Sequence, residues 1–339
     1  MSLRIAIMGF RHGHVMDILR RTTDMPELEL AAVCEEDPVT REELTAAKSI
    51  SFDFADYSKM LDSVDCDAIA VGDYYGKRGQ IIIEALNRGK HVISDKPICT
   101  DLTELETITQ LARGNGRVVS AMLDMRDTAP AVAMRELIRG GSIGEIHAIF
   151  FGGQHPLNPD TRPSWYFEPG KHGGTINDIA VHAFDFIPWM TGLQFATVNA
   201  ARNWNAVVAD YPHFKDAAQV MLTMSNGCGV LGDVSYLIPS SYGYDHPCYW
   251  RVTVWGRDGV IETSEGAKML HISMNGETEV RRQPLPEGRP GGYLRAFIDE
   301  VNGRRDAGSE LCSADVLRAS RQALIAQKAA DQSLTNVEI

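Results

Sequence analysis

Short apolar strands alternate with helical patterns over the first 122 residues, and this alternation restricts the fold more than any other feature. Leu3 to Met8 is an apolar run that breaks at a glycine-containing turn over residues 9–14, and a helical pattern follows from Val15. Four further strands are predicted at 27–34, 67–71, 91–93 and 117–122. Strands that each return through a helix form a parallel, doubly wound sheet with right-handed crossovers. We therefore predict an α/β domain of Rossmann type over residues 1–122.

The rest of the chain follows another pattern and predicts a second, α+β domain over residues 123–339. Between 217 and 261 the apolar runs are joined by Asn226-Gly227 and Asp258-Gly259, which are dipeptides typical of tight hairpin turns. This half should hold a large, mostly antiparallel open sheet. We also predict a long loop over 154–172, a helix over 174–189 and a C-terminal helix over 314–330 that packs near the first domain.

Composition narrows the classes of partner and compartment. A net charge of -12 on 339 residues argues against nucleic acid or an anionic membrane as a partner, because both would repel such a surface. The six cysteines form no C-x-x-C pair and follow no secretory start, so we expect reduced thiols in a cytoplasmic protein. No apolar run approaches the roughly 18 residues of a membrane span.

Lys96 is the first candidate for chemistry. It follows the predicted strand 91–93 within Asp95-Lys96-Pro97. The carboxyl end of a strand in an open parallel sheet faces the crevice where ligands bind. The alternative is a solvated lysine in a surface turn, which is the usual place for this residue type.

The turn after the first strand is a partial dinucleotide fingerprint. The pattern G-x-G-x-x-G requires glycine at positions 9, 11 and 14, and only Gly9 fits, since Arg11 and His14 occupy the other two. Arg11 either crowds the pyrophosphate or binds a phosphate with its guanidinium. An ordinary strand-to-helix turn explains the loop equally well. Glu35 follows the second strand, where an acid accepts ribose hydroxyls and repels a 2′-phosphate, which favours NAD over NADP.

A second group of candidates lies on the predicted helix 174–189. Asp178 and His182 are four residues apart, so both should project from one face, with Asp185 near it. A carboxylate one turn from an imidazole orients the ring and raises its basicity, as a proton-transferring histidine requires. Plain helix stabilisation is an equally common reason for such a pair.

These motifs together resemble the Gfo/Idh/MocA oxidoreductase family over nearly the whole chain. The family's E-K-P is similar to Asp95-Lys96-Pro97, and its G-G-x-x-x-D-x-G-x-H-x-x-D helix is similar to residues 173–185, with Ala180 at the usual glycine. Further similarities are Arg126, Pro130, the segment 142–146 and Trp165. Two departures are Asp73-Tyr74-Tyr75 in place of T-P-N and Arg78 in place of a histidine.

The resemblance implies an enzyme that uses NAD, or less commonly NADP, to oxidise or reduce a carbinol of a sugar, cyclitol or similar polyol. It implies that Lys96 and His182 handle the proton while Asp178 orients them. The cofactor is then expected to contact Gly9, Phe10, Arg11, His12, Gly13, Glu35, Gly72, Asp73, Lys96 and Pro97. Substrate contacts are expected from Arg126, His155 and Trp165. Relatives assemble through the open sheet, so a homodimer or homotetramer is expected.

Three other functions remain open. The protein could cycle NAD without net redox change to cleave a glycosidic bond. It could also be a sugar-binding or regulatory protein that has lost the nucleotide, which Arg11 and Asp73 would favour. Finally, His155, His172, Asp178 and His182 could gather as a zinc site, although their spacing matches no standard motif, and the main interpretation includes no metal.

Overall fold

The computed structural model describes residues 2–47, 49–247, 249–304 and 311–339. The chain divides into two compact units. Unit 1 comprises Met1–Met122, Gly170–Gly173 and Tyr293–Leu317, and unit 2 comprises Leu123–Pro169, Gly174–Gly292 and Arg318–Ile339. Of the six cysteines, Cys248 lies outside the described residues, and the other five are free and buried. No helix in the described part of the chain is both long and apolar enough to cross a membrane.

Unit 1 contains, among its described residues, one parallel five-stranded sheet of order β2-β1-β3-β4-β5. The strands are Leu3–Met8 (β1), Leu28–Cys34 (β2), Ala68–Val71 (β3), His91–Ser94 (β4) and Val119–Ala121 (β5). The helices are Val15–Asp24 (α1), Pro38–Ala46 (α2), Tyr57–Ser63 (α3), Tyr75–Asn87 (α4) and Leu102–Gly114 (α5). All four residues of β3 are buried, as in a parallel strand covered on both faces. The predicted doubly wound domain is confirmed.

Unit 2 is organised around a sheet that, in the described residues, has nine strands in the order β13-β12-β11-β10-β6-β9-β8-β7-β14. They are Ile146–Pro156 (β6), Phe195–Trp204 (β7), Ala217–Met224 (β8), Gly229–Ile238 (β9), Arg251–Gly256 (β10), Gly259–Thr263 (β11), Met269–Met274 (β12), Arg281–Pro284 (β13) and Thr335–Glu338 (β14). Strands β6 and β9 pair parallel, and the other neighbours are antiparallel. The mostly antiparallel sheet and its two predicted hairpins are therefore confirmed.

The part of the chain that the structure describes contains four more α-helices, namely Ala129–Arg139 (α6), Val181–Thr191 (α7), Gly292–Val301 (α8) and Ser313–Gln332 (α9). Two local predictions were wrong. Strand β6 continues to Pro156, so His155 belongs to the sheet and not to the predicted loop. The helix predicted from residue 174 instead begins as a wider π-helical turn, Ile176–Ala180, before α7. A π turn has more residues per turn than an α-helix, so Asp178 and His182 do not share a regular helical face.

Candidate active site

Lys96 lies two residues beyond the end of β4, and the guanidinium of Arg78 binds the backbone around it. Arg78 on α4 is fully buried, and its Nη1 donates to the carbonyl oxygens of Lys96 at 2.7 Å and Pro97 at 3.1 Å. Its Nη2 donates to the Asp95 carboxylate at 2.9 Å. Lys96 itself is only 4% exposed, in contrast to the solvated lysine that was the alternative. The arrangement fixes the two carbonyl groups that follow the Lys96 side chain and the side chain of Asp95 before it.

Asp95 also contacts two histidines of the loop between β1 and α1. The Nδ1 atom of His12 contacts one oxygen of the Asp95 carboxylate, and the Nδ1 atom of His14 lies 3.2 Å from the other. Burial alone would raise the pKa of Asp95, but the Arg78 guanidinium and the two imidazoles outweigh it and hold that pKa well below its usual range. Burial lowers the pKa of His12 to about 4, against the opposing effect of Asp95. At neutral pH the pair is thus a carboxylate and a neutral imidazole.

The glycine turn after β1 has the close approaches that a dinucleotide-binding loop needs. Gly9 has a φ of +87°, and a Cβ there would lie 2.6 Å from the Asp73 nitrogen. A Cβ on Gly72 would lie 2.5 Å from the Val15 side chain, so both positions require glycine. A Cβ on Gly13 would meet nothing within 4 Å, which leaves open space beside the start of α1. A glycine turn that leads into a helix N-terminus fits a nucleotide phosphate.

The side chain of Glu35 is hydrogen-bonded to the backbone of the same turn. Its carboxylate is fully buried and accepts from the backbone nitrogens of Phe10 at 2.6 Å and Asp37 at 2.7 Å. Burial raises the pKa of Glu35 to about 7, although these two donors oppose the shift. Arg11, at the second position of the fingerprint, lies 3.8 Å from the Asp37 carboxylate and 5.1 Å from the centre of the Tyr74 ring.

Asp73 carries a buried negative charge at the end of β3, and its counter-charge comes from α4. Its carboxylate accepts from the Tyr57 hydroxyl at 2.8 Å and from the Tyr74 nitrogen at 2.7 Å. The Lys77 ammonium lies 3.2 Å away. Arg11 and Arg78 form ion pairs with Asp37 and Asp95.

In unit 2, Asp178 is held by a tyrosine that the sequence did not suggest. Asp178 lies on the π-helical turn and accepts a hydrogen bond from the hydroxyl of Tyr236 on β9, and both side chains are buried. Burial, and then the charge of Asp178, hold the pKa of Tyr236 well above its usual range. His182 on α7 is buried and packs edge-on against Trp250, with ring centres 5.7 Å apart.

His155 lies within a group of aromatic rings at the end of β6. Its ring centre is 5.2 Å from that of Tyr249 and 5.7 Å from that of Tyr244, in edge-on geometry. Beside this group, the Arg162 guanidinium packs over Tyr166 and Tyr236 at 4.9 and 5.4 Å. This cluster combines apolar ring faces with a few polar groups, as the linings of sites for small organic ligands do.

Arg126 and Trp165, the other two predicted substrate contacts, interact with side chains of the protein itself. Arg126 forms a buried, two-point ion pair with Asp185 on α7, in which its Nε donates at 2.6 Å. Trp165 is 2% exposed and stacks against Tyr166 with ring centres 4.2 Å apart.

Sequence reasoning missed Tyr236, Trp250 and Arg162. The one signal that could have indicated two of them is the density of aromatic residues between 236 and 250. The predicted roles of Lys96, His182 and Asp178 and the predicted cofactor contacts stay predictions.

Comparison with known proteins identifies both halves of the chain. Residues 3–123 match the oxidoreductase family with an NAD-binding Rossmann fold, and residues 131–262 match the GFO/IDH/MocA C-terminal domain. The protein is therefore an oxidoreductase with an NAD-binding domain. It belongs to the Gfo/Idh/MocA family, as the motifs around Lys96 and His182 indicated.

Several of its relatives are named as enzymes that act on sugars or inositols. The dTDP-3,4-didehydro-2,6-dideoxy-alpha-D-glucose 3-reductase of Saccharopolyspora spinosa is 28% identical over 76% of this chain and 74% of its own. The inositol 2-dehydrogenase/D-chiro-inositol 3-dehydrogenase of Lactiplantibacillus plantarum is 22% identical over 76% and 69%. The structure of an inositol dehydrogenase homolog of Azotobacter vinelandii with NADH and myo-inositol has a TM-score of 0.78 at 18% identity, covering 100% of this chain and 97% of that one. At this identity the structural likeness shows a common fold.

Proposed function

We propose that the protein transfers hydride between a nicotinamide and a carbinol or carbonyl group of a sugar, cyclitol or similar polyol. The observation that carries this proposal is the buried Lys96 at the carboxyl end of β4, on a backbone held by Arg78. The names of the relatives support the substrate class, because they include an inositol dehydrogenase and a reductase of a deoxysugar nucleotide.

NAD, when bound, accepts or supplies the hydride. We propose that the turn around Gly9, the open space beside Gly13 and the end of β3 at Gly72 hold its phosphates. The full set proposed for the cofactor is Gly9, Phe10, Arg11, His12, Gly13, Glu35, Gly72, Asp73, Lys96 and Pro97. Glu35 supports the loop through the Phe10 nitrogen, and an acid at this strand end disfavours a 2′-phosphate, which favours NAD over NADP.

The protein's own groups are proposed to manage the proton of the reacting hydroxyl. His182 takes this proton during oxidation and returns it during reduction, while the Lys96 ammonium hydrogen-bonds the oxygen on which negative charge develops. Asp178, fixed by the Tyr236 hydroxyl, supplies the negative charge that favours the protonated form of the imidazole.

Substrate contacts are proposed for His155 and Trp165. The rings around His155 offer apolar faces to the C–H side of a polyol, and its imidazole offers a hydrogen-bonding edge. Arg126 is proposed to position α7 through Asp185, since its guanidinium is engaged by that carboxylate at two points.

We also propose that the protein is a homodimer or homotetramer built through the open sheet of unit 2. Met221 and Leu231 are 48% and 57% exposed and lie opposite each other on β8 and β9. Phe150 on β6 pairs with Leu231, and Ala200 on β7 pairs with Met221, so the apolar row crosses four strands. A contiguous exposed apolar patch of this kind marks an association site.

The free thiols of the described cysteines support a reducing compartment, for which we propose the cytoplasm.

The decisive experiment is a screen of sugars and cyclitols with NAD and NADP, followed by Lys96→Met with the best substrate. We expect the variant to keep most of its affinity for NADH, measured by NADH fluorescence, because the other nine proposed cofactor contacts remain, and to lose turnover by several orders of magnitude. Lys90→Met is a matched control, because Lys90 directly precedes the same strand and its ammonium donates to the Cys66 carbonyl at 2.8 Å.

Other outcomes separate the competing functions. Equal turnover in the Lys96→Met variant would reject the assignment. Failure of the wild type to bind NADH would favour a sugar-binding or regulatory protein. Cleavage of a glycoside with no net change in NADH would favour an NAD-cycling glycosidase.

A further inference from the structure

His12, His14 and Asp95 form a cluster of metal-ligating side chains within unit 1. Each offers one ligand atom, and the three atoms all lie within 4.8 Å of one another. Among the described residues this is the only such group of three, and it differs from the histidines that the sequence suggested for zinc. The cluster joins the loop after β1 to the end of β4, so two separate segments of the chain create it.

The spacing of the donor atoms suits a single ion. The Nδ1 atom of His14 lies 3.2 Å from one oxygen of Asp95, and the Nδ1 atom of His12 contacts the other oxygen. Two ligands of a tetrahedral zinc ion, each bound at about 2.0–2.1 Å, are about 3.4 Å apart. The separation of His14 and Asp95 is therefore that of two ligands of one ion, whereas the Nδ1 atom of His12, which contacts Asp95 directly, would have to move slightly apart from the carboxylate to bind the same ion.

Neighbouring groups orient two of these ligands. The Nε2 atom of His12 lies 3.3 Å from the Tyr75 hydroxyl, which fixes the ring with Nδ1 toward Asp95. Arg78 donates to the carboxylate of Asp95 at 2.9 Å. It donates to the same carboxylate oxygen that His12 contacts. Hydrogen bonds to ligating groups are typical of metal sites in proteins, because they set the orientation and tautomer of the ligands. The positive charge of Arg78 also makes the site weaker than a structural zinc site.

Two of the three side chains in the cluster are buried, and the third is exposed to solvent. His12 and Asp95 are buried, whereas the side chain of His14 is 55% exposed, so an ion has a path from solvent. Three protein ligands leave one position of a tetrahedral ion for water or another small ligand.

We propose that His12, His14 and Asp95 bind one divalent metal ion of the zinc type, to which two imidazoles and a carboxylate are well matched. The site shares His12 with the proposed cofactor contacts, so it is tested on protein without nucleotide, and its outcome does not depend on hydride transfer. The competing explanation is a hydrogen-bond network in which the two imidazoles only position Asp95.

The test is a titration of the metal-free full-length protein, without nucleotide, with zinc chloride against a chromophoric chelator. We expect one zinc ion per chain in the wild type and at least a tenfold weaker association in His14→Ala. This substitution should spare the fold, because His14 precedes α1 without capping it through its side chain and is largely exposed. His213→Ala is the control for adventitious binding by an exposed histidine and should match the wild type.

Cobalt(II) provides a second measurement on the same proteins. Visible absorption bands of a four-coordinate cobalt ion should appear with the wild type and His213→Ala and be lost with His14→Ala. Absence of stoichiometric zinc in the wild type, or equal affinity in His14→Ala, would overturn the proposal and leave the hydrogen-bond network as the explanation.

Discussion

Arg78 and Asp95 form an ion pair, 2.9 Å long, in which both side chains are fully buried, immediately before Lys96. The same guanidinium donates through Nε to the Asp73 carbonyl at 2.7 Å and through Nη1 to the Lys96 carbonyl. One side chain thus connects the ends of β3 and β4. An arginine can do this because its donors form a rigid planar fork, which a lysine lacks.

Arg78→Lys is expected to lower kcat about tenfold or more, because the single ammonium cannot hold Asp95, the Lys96 carbonyl and the Asp73 carbonyl together. A tenfold loss corresponds to about 1.4 kcal/mol in the barrier. Steady-state kinetics with the best polyol substrate would measure it. Arg88→Lys, at the end of the same helix α4 and paired with Asp62 at 2.8 Å near the surface, should have wild-type kinetics. A similar loss in both variants would show that α4 as a whole, and not Arg78, was disturbed.

Tyr236→Phe removes the hydroxyl that donates to Asp178 and leaves the ring in place. A hydrogen bond to a buried charged group contributes about 1.5–3 kcal/mol, so the free energy of unfolding should fall by about this amount. If Asp178 acts on His182 as proposed, kcat should also fall at least tenfold while the dissociation constant of NADH stays unchanged. Urea unfolding, kinetics and NADH fluorescence separate the two effects.

Tyr242→Phe is the matched control for that variant, because Tyr242 is 58% exposed. It should retain wild-type stability and turnover. A Tyr236→Phe enzyme with reduced stability but full kcat would limit Tyr236 to a structural role.

The pH dependence of stability should report Glu35. Burial raises its pKa in the folded protein from 4.5 to about 7, so the protonated form is favoured by folding. Its contribution to stability is complete below pH 4.5 and is lost as the pH rises through 7, an effect on the order of 3 kcal/mol. Glu35→Gln, which cannot ionise, should lose less stability than the wild type between pH 5 and pH 8.

Urea unfolding at the two pH values measures this difference. Glu29→Gln on the same strand β2 is the control, since its side chain is 54% exposed, and it should follow the wild-type pH dependence. Parallel curves for the wild type and Glu35→Gln would contradict the assignment of the pH dependence to this carboxyl.

The fold could be predicted from the sequence because local patterns determine it. Continuous apolar runs such as Ala68–Val71 indicate strands covered on both faces, and the glycines at 227 and 259 mark the hairpin turns. The weaker strands β13 and β14 have four mostly polar residues each, and their pairing depends on neighbours that periodicity does not reveal.

The details of the candidate site depend on contacts between residues that are far apart in the sequence, and these contacts could not be predicted from sequence patterns. Asp178 and His182 have the four-residue spacing of a helix pair, but the π-helical turn changes that geometry, and Asp178 is held by Tyr236, 58 residues later. Glu35 stands where an acid usually binds ribose, yet its oxygens accept from Phe10 and Asp37. Residue type alone indicated Asp178 and Glu35 as candidates, but it did not indicate which residues they hydrogen-bond.

The open face of the unit 2 sheet gives the last prediction. Leu231 is 57% exposed in the middle of the row formed by Met221, Leu231 and Phe150, so Leu231→Glu would bury a charge in any interface built there. Size-exclusion chromatography with light scattering should show a dimer or tetramer for the wild type and a smaller species for this variant. Leu30→Glu, an exposed leucine on β2 of unit 1, should leave the mass unchanged. A monomeric wild type, or a Leu231→Glu protein of wild-type mass, would exclude this face as the interface.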